Sequence, residues 1–192
     1  MPWRKSLRDH SNDQHAFLSP SNYHWLNYST DKLKEIYRLS RLARFRGTKM
    51  HDLASELIDC KVSLPKKKKT FNMYVNDAIY YKMRTEVSLK YSEYCYGTAD
   101  SIADYDILRI HDLKTGKTPA SFKQLEVYAA LYFLQNDYRP GDWKTELRIY
   151  QNDERITTNP TAEDILPIMD KIILFSDILA SIDEEDEDYA IF

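Results

Sequence analysis

Two aspartates and a lysine stand close together in the segment Tyr96–Tyr132, YGTADSIADYDILRIHDLKTGKTPASFKQLEVYAALY. The pattern predicts a hairpin, YCYGTADSIA followed by ILRIHDLKTGK, and then an amphipathic helix, SFKQLEVYAALYFLQ. Asp100 falls on the first strand. Asp112 and Lys114 fall at the end of the second, two residues apart, so their side chains leave the same face. Gln124 and Tyr128 are four apart on the helix and share one of its faces. Carboxylates that converge on a strand end attract a hard divalent cation. A lysine beside such a cation positions a water or steadies charge growing on a phosphate.

Convergence depends on the hairpin register. A three-residue loop of Asp104, Tyr105 and Asp106 pairs Ala103 with Ile107 and Asp100 with Ile110, leaving Asp112 diagonal to Asp100 on the same face. A regular two-residue loop sends the two carboxylates to opposite faces. The reading therefore requires an odd-length loop or a bulge. Asp-x-Lys occurs three times, as Asp59-Cys60-Lys61, Asp112-Leu113-Lys114 and Asp142-Trp143-Lys144. The first copy sits in a predicted helix, and the third follows a turn with no apolar strand before it. Only the middle copy closes an apolar run, Ile107 to Ile110, with an acidic residue upstream on a neighbouring strand.

Several other elements must position these groups. Residues 1–16 are polar and read as an N-terminal tail. Ser19-Pro20-Ser21 reads as a helix start. A second helix starts at Ser29-Thr30-Asp31, apolar at Leu33, Ile36, Tyr37, Leu39, Leu42 and Phe45. Its other face carries Arg38, Arg41, Arg44 and Arg46. Gly47 is expected to break or kink it, with a further helix from about Lys49 to Lys61 that carries His51 in its first turn. Lys66, Lys67, Lys68 and Lys69 follow as a loop run. A helix from about Met73 to Lys82 precedes the first strand, Glu86 to Tyr91. After the helix 120–136, Glu146 to Tyr150 reads as another strand. A last helix runs from about Ala162 to Ile182, and the acidic run Asp183–Asp188 reads as part of a solvated tail, 183–192. The expected class is α/β (α+β): a small mixed sheet flanked by helices, with an N-terminal helical region, in one domain spanning 1–192.

Taken together, Gly97-x-x-Asp100, Asp112-x-Lys114 and Gln124-x-x-x-Tyr128 resemble the motifs of the PD-(D/E)XK nuclease superfamily, and within it the RecB-like branch that includes phage exonucleases. Arg46-Gly47-Thr48-Lys49-Met50-His51 is similar to the branch's histidine motif. Leu18-Ser19-Pro20-Ser21 resembles the opening of phage proteins of this kind. The resemblance covers about residues 17 to 132. It implies a restriction-endonuclease-like core and a divalent-metal-dependent DNA nuclease, an exonuclease by branch, acting in phage or bacterial DNA recombination, repair or processing. It implies that His51, Asp100, Asp112 and the main-chain carbonyl of Leu113 hold Mg2+ or Mn2+. Lys114 would act on the water or the phosphate, Gln124 would hold the lysine or a phosphate, and Tyr128 would pack and hydrogen-bond beneath. Glu86 lies where relatives carry a glutamate and is a candidate for the site's edge. Some relatives hold an iron–sulfur cluster on four cysteines; Cys60 and Cys95 alone do not make one. The alternatives of another kind are a catalytically silent DNA-binding or assembly subunit and a structure-specific endonuclease (a resolvase) of the same fold.

Charge fits a polyanionic substrate. Residues 1–96 carry 18 Lys+Arg against 10 Asp+Glu, and residues 97–192 carry 9 against 20. A basic first half and an acidic second half suggest a polarised surface, and phosphate contacts of lysine and arginine dominate DNA affinity. Arg38, Arg41, Arg44 and Arg46, with Lys66 to Lys69, are the candidate contacts. DNA is thus the expected partner, with a homo-oligomer or a recombination protein as the further one. There is no apolar run near 18 residues and no signal-peptide pattern, so a cytoplasmic protein without a membrane is expected, in a bacterial or phage-infected cell.

Overall fold

A computed structural model describes residues 26–116 and 119–190, without the side chains of 43, 44 and 184–190. The expected helix start at Ser19-Pro20-Ser21, the Leu18-Ser19-Pro20-Ser21 segment and the 1–16 tail lie outside the described residues. The elements are α1 (Thr30–Asp59), α2 (Thr70–Tyr80), β1 (Arg84–Lys90), β2 (Tyr96–Asp104), β3 (Leu108–Leu113), α3 (Lys123–Gln135), β4 (Thr145–Gln151), β5 (Glu154–Thr158) and α4 (Ala162–Ala190). The chain divides into two units, Met1–Arg46 and Gly47–Phe192. The candidate site belongs to the second.

Five strands form one sheet in the order β1-β2-β3-β4-β5. β3 and β4 are parallel, joined through α3; the other neighbours are antiparallel. Apolar side chains at alternate strand positions fill two cores. On one face Ile102, Leu108, Ile110, Leu147 and Ile149 pack with Leu125, Ala129 and Phe133 of α3 and with Ile165 and Ile172 of α4. On the other, Ala103, Leu113 and Tyr150 pack with Ala54 and Ile58 of α1 and with Tyr74, Val75 and Ala78 of α2. A fully buried side chain such as Leu125 or Phe133 contributes about 1.5–3 kcal/mol. Asp77 of α2 accepts from Tyr150 Oη (2.7 Å), Arg155 (2.8 Å) and Arg148 (3.3 Å), which fastens that helix to β4 and β5.

This is a mixed α/β protein with a five-stranded mixed sheet flanked by helices, as the pattern predicts. Three details differ. Gly47 does not end a helix: α1 runs unbroken from Thr30 to Asp59. Glycine weakens a helix interior by roughly 0.5–1 kcal/mol, but a Cβ at 47 would lie 3.2 Å from Thr115 Oγ1. The glycine lets the segment after β3 approach the helix. β5 is an additional strand. It follows a two-residue turn, Asn152-Asp153, with φ of 52° and 59°, closed by the pair Gln151↔Glu154. Two left-handed residues in a two-residue hairpin turn suit the asparagine and aspartate found there. α4 begins at Ala162 as expected, with Pro167 inside it, but residues 183–190 continue the helix rather than forming a tail. A Thr161/Asp164 pair caps that helix, with Thr161 N–H and Oγ1 donating to Asp164 Oδ2 at 2.8 and 2.9 Å. No helix among the described residues is long and apolar enough to cross a membrane.

Candidate metal centre

The β2–β3 loop has three residues, Tyr105, Asp106 and Ile107, closed by the pair Asp104↔Leu108. The loop is odd, as convergence requires, but it starts one residue later than expected. The last pair of the ladder is Ser101↔His111, and continuing that register sets Asp100 opposite Asp112 instead of diagonal to it. β1 adds to this row. Thr85↔Ser101 and Val87↔Ala99 leave Glu86 across from Asp100. One acidic residue from each of three adjacent strands thus falls in a single line.

Regular alternation breaks at that line. Met83 and Ala103 pack against α1 and α2, whereas Val87, Ala99 and Ile102 pack against α3. Ala99 and Ile102 are three apart, so one step of the pleat is lost between them. Glu86 carries the local distortion, with φ of 48° in the left-handed region. Such irregularities re-aim a side chain and recur beside functional sites. Thr85 is held to α1 by hydroxyl bonds from Ser55 (2.7 Å) and to Asp59 (3.0 Å), which keeps Glu86 near the helix that carries His51.

His51, Glu86 and Asp100 each present a ligand atom, and these atoms lie within 4.8 Å of one another. His51 Nδ1 is 3.4 Å from Asp100 Oδ2. The same oxygen accepts Leu113 N–H at 2.8 Å, so Leu113 orients Asp100 through its amide. Asp112 is buried at 4% exposure. Its Oδ1 accepts from Lys114 Nζ at 3.0 Å, while its Oδ2, also buried, has no donor among the described residues. Lys114 Nζ donates again to Gln124 Oε1 at 2.8 Å, and Gln124 Nε2 lies 3.4 Å from Tyr128 Oη. Gly97 completes the chain of contacts. A Cβ there would meet Tyr128 Cε1 at 3.0 Å, so the tyrosine ring occupies the space that glycine leaves. Of the expected ligands, His51 and Asp100 share one cluster, which Glu86 joins; Asp112 stands outside that cluster and connects through Lys114 to Gln124 and Tyr128.

Crowded negative charge marks the site. Burial, then Asp100, raise the Asp112 carboxyl above its ordinary range, against the opposing Lys114 ammonium. Burial and Asp100 also raise Glu86, with Asp52 adding to the effect. The hydrogen bond to Asp100 raises His51, against the lowering effect of burial. Asp100 contributes to all three shifts, as a like charge to Asp112 and Glu86 and as an opposite charge to His51, and burial adds to the two carboxyls. The donor set and the orphaned Asp112 Oδ2 fit a divalent ion. Imidazole is softer than Mg2+ prefers, so the set also suits Mn2+.

No protein-family model, curated protein or solved structure matches this chain.

The expected DNA contacts are distributed differently. Arg38, Arg41 and Arg46 are exposed on α1 within the first unit, with Arg41 over the Tyr37 ring at 5.9 Å. Arg44 lies among the residues whose side chains are not described. Lys66, Lys67 and Lys68 line a cavity of about 640 Å3. Lys69 is engaged by Asp153 at 2.6 Å and joins the start of α2 to the β4–β5 turn.

Proposed function

We propose that this chain is a divalent-metal-dependent deoxyribonuclease built on a restriction-endonuclease-like core, with exonuclease action. The supporting observation is the clustering of His51, Glu86 and Asp100, with Asp112 close enough to Asp100 and His51 to feel their charge and a lysine steered by both Asp112 and Gln124. The element order from β1 through α3 to a parallel β4 supports the core. The resemblance to RecB-like exonucleases supplies the reaction class.

In this reading the ion is held by His51, Glu86, Asp100, Asp112 and the carbonyl of Leu113. Bound there, a divalent cation supplies charge neutralisation and Lewis acidity to a phosphodiester. Lys114 does the work of the protein itself. Its ammonium has three N–H donors; two are directed to Asp112 and Gln124, and the third is offered to the phosphoryl oxygen or to the attacking water. Asp112 and Gln124 fix the lysine, and Tyr128, seated on Gly97, fixes Gln124. Hydrolysis forms a P–O bond from water as the P–O bond to the departing sugar oxygen breaks, and a proton passes from the water to that oxygen. Preorganised donors of this kind are worth about 10²–10³ in rate.

End-labelled linear DNA and closed circular DNA, incubated with Mg2+ or Mn2+, test the reading. Degradation of linear DNA alone, abolished by EDTA, is expected, and the labelled end gives the polarity. Cutting of closed circles replaces the exonuclease with an endonuclease. Retarded DNA without product under either metal replaces the enzyme with a binding subunit.

A further inference from the structure

Two cavities that share a lining residue are not accounted for by the chemistry above. One, about 620 Å3, is lined by Thr85, the residue before Glu86, and by Lys61, Lys82, Arg84 and Tyr105. Its neighbour, about 640 Å3, is lined by Lys66, Lys67, Lys68 and Tyr80. Ile79 lines both, so the two lie side by side along α2, and the lining of the first includes the residue before a proposed metal ligand.

Six cations line these cavities, three in each. Of the acidic side chains lining them, Asp59 accepts the Thr85 hydroxyl, and Asp77 is engaged by Tyr150, Arg148 and Arg155. Arg84 pairs with Asp104 at 2.8 Å. The balance remains strongly positive. Tyr80 and Tyr105 line the cavities at 77% and 68% exposure. They are among the most exposed large apolar side chains described. A flexible polyanion with stackable faces matches this lining: lysines take phosphates, and open tyrosine rings take bases. A paired duplex cannot offer its base faces to those rings.

Local structure explains why the lysines meet there. α1 and α2 both end in the same motif: Val62 N–H bonds Leu57 O and Lys61 N–H bonds Ile58 O, while Met83 N–H bonds Ala78 O and Lys82 N–H bonds Ile79 O. The residue after each cap takes a left-handed conformation, φ 56° at Lys61 and 53° at Lys82. Glycine is usual at this position. α3 ends alike at Asp137, φ 55°, so the conformation alone does not mark a site. The side chains do, because both lysines line one cavity.

We propose that these cavities are the track of an unpaired DNA strand leading to the metal centre, so that the substrate is a single-stranded end. This rests on the nuclease reading for the chemistry but not for the binding. The test is fluorescence anisotropy of a labelled oligo-dT and of a duplex of equal length with the full chain in EDTA, across a salt series. Lys61→Gly with Lys82→Gly removes two cations where glycine suits the backbone, so Tm should be unchanged or higher. The track predicts tighter binding of the single strand than of the duplex. It predicts that the double variant binds oligo-dT about tenfold more weakly at low salt, with the log–log salt slope smaller by about 1.4 for two lost contacts. Tyr105→Ala should weaken oligo-dT binding about tenfold and leave the slope unchanged. Wild-type affinity and slope in the double variant, or tighter binding of the duplex, would overturn the track. Track-dependent binding without hydrolysis in Mn2+ would uphold it and remove the nuclease reading instead. Hydrolysis that is indifferent to Lys61, Lys82 and Tyr105 would do the reverse.

Discussion

Gly97→Ala tests whether the sheet really seats the helix residues that steer Lys114. The new methyl would lie 3.0 Å from Tyr128 Cε1, where carbon contacts are most favourable at about 3.5–4.0 Å. The ring must withdraw by about 0.5 Å or more, and with it the partner of Gln124. Overpacking of this kind costs about 1–3 kcal/mol. Gly97 is not in the left-handed region, where Gly141 sits, so alanine fits the backbone and gains about 0.4–1 kcal/mol through the unfolded chain. The net expectation is a loss of about 0.5–2 kcal/mol. That is about 1–8 °C in Tm, at 2–4 °C per kcal/mol for a chain of this size. In a Tyr128→Ala background the obstructing ring is gone. The same Gly97→Ala change should then be stabilising, by about 0.4–1 kcal/mol. A four-protein cycle by chemical denaturation reads the coupling, expected at about 1–3 kcal/mol with a reversal of sign between backgrounds. Equal losses in both backgrounds, additive to within about 0.5 kcal/mol, would refute the packing argument and the steering that depends on it.

Other consequences follow from the same site. Asp112→Asn should raise the Tm of the metal-free protein while removing Mn2+ binding, because the folded-state carboxyl is raised above its unfolded value. A group so shifted stabilises fully below its unfolded pKa and loses that contribution as pH rises through the folded one. The wild-type melting temperature, measured in EDTA relative to the variant, should therefore improve as pH falls from 7 towards 4; a variant that melts lower at pH 7 contradicts this. His51→Ala and Glu86→Gln should each weaken Mn2+ binding by calorimetry about tenfold or more, near 1.4 kcal/mol, and unchanged affinity removes that residue from the ligand set. Lys114→Met should bind Mn2+ at least as tightly as wild type, since a neighbouring positive charge is lost, and weaker binding would mean that the lysine organises the ligands rather than the substrate.

Much of the fold could be read from the chain because its strands are short apolar runs bounded by turns and its helices carry apolar residues three and four apart; α3 departs from the expected amphipathic pattern, burying Ala129 to Phe133 without a break. The convergence of Asp100 with Asp112 was legible as a parity condition on one loop, and the odd loop met it. Its register was not, because Tyr105, Asp106 and Ile107 offer no glycine or proline to mark where pairing stops. Glu86 could be suspected only from its place before the hairpin. What brings it inward is a left-handed kink in the middle of a strand, and no composition rule anticipates that at a glutamate. Gly47 misled for the opposite reason: a glycine usually read as a helix breaker serves here as a point of close approach to Thr115. The turn at Asn152-Asp153 lacks glycine, so β5 carried too weak a signal. Lys61 and Lys82 were invisible as a pair, being 21 positions apart and joined only by the packing of α1 beside α2.

The central claim is that Asp112 and Lys114 belong to a metal-dependent hydrolytic site. Its most direct test is single-turnover hydrolysis of a linear end-labelled strand in Mn2+ by wild type, Asp112→Asn and Lys114→Ala, with thermal melts of the same three preparations. The account predicts cleavage by wild type that EDTA stops, and a fall of about 10²-fold or more in both variants, with folding retained. Equal cleavage by all three, or metal-dependent cleavage that survives in Lys114→Ala at the wild-type rate, would contradict it.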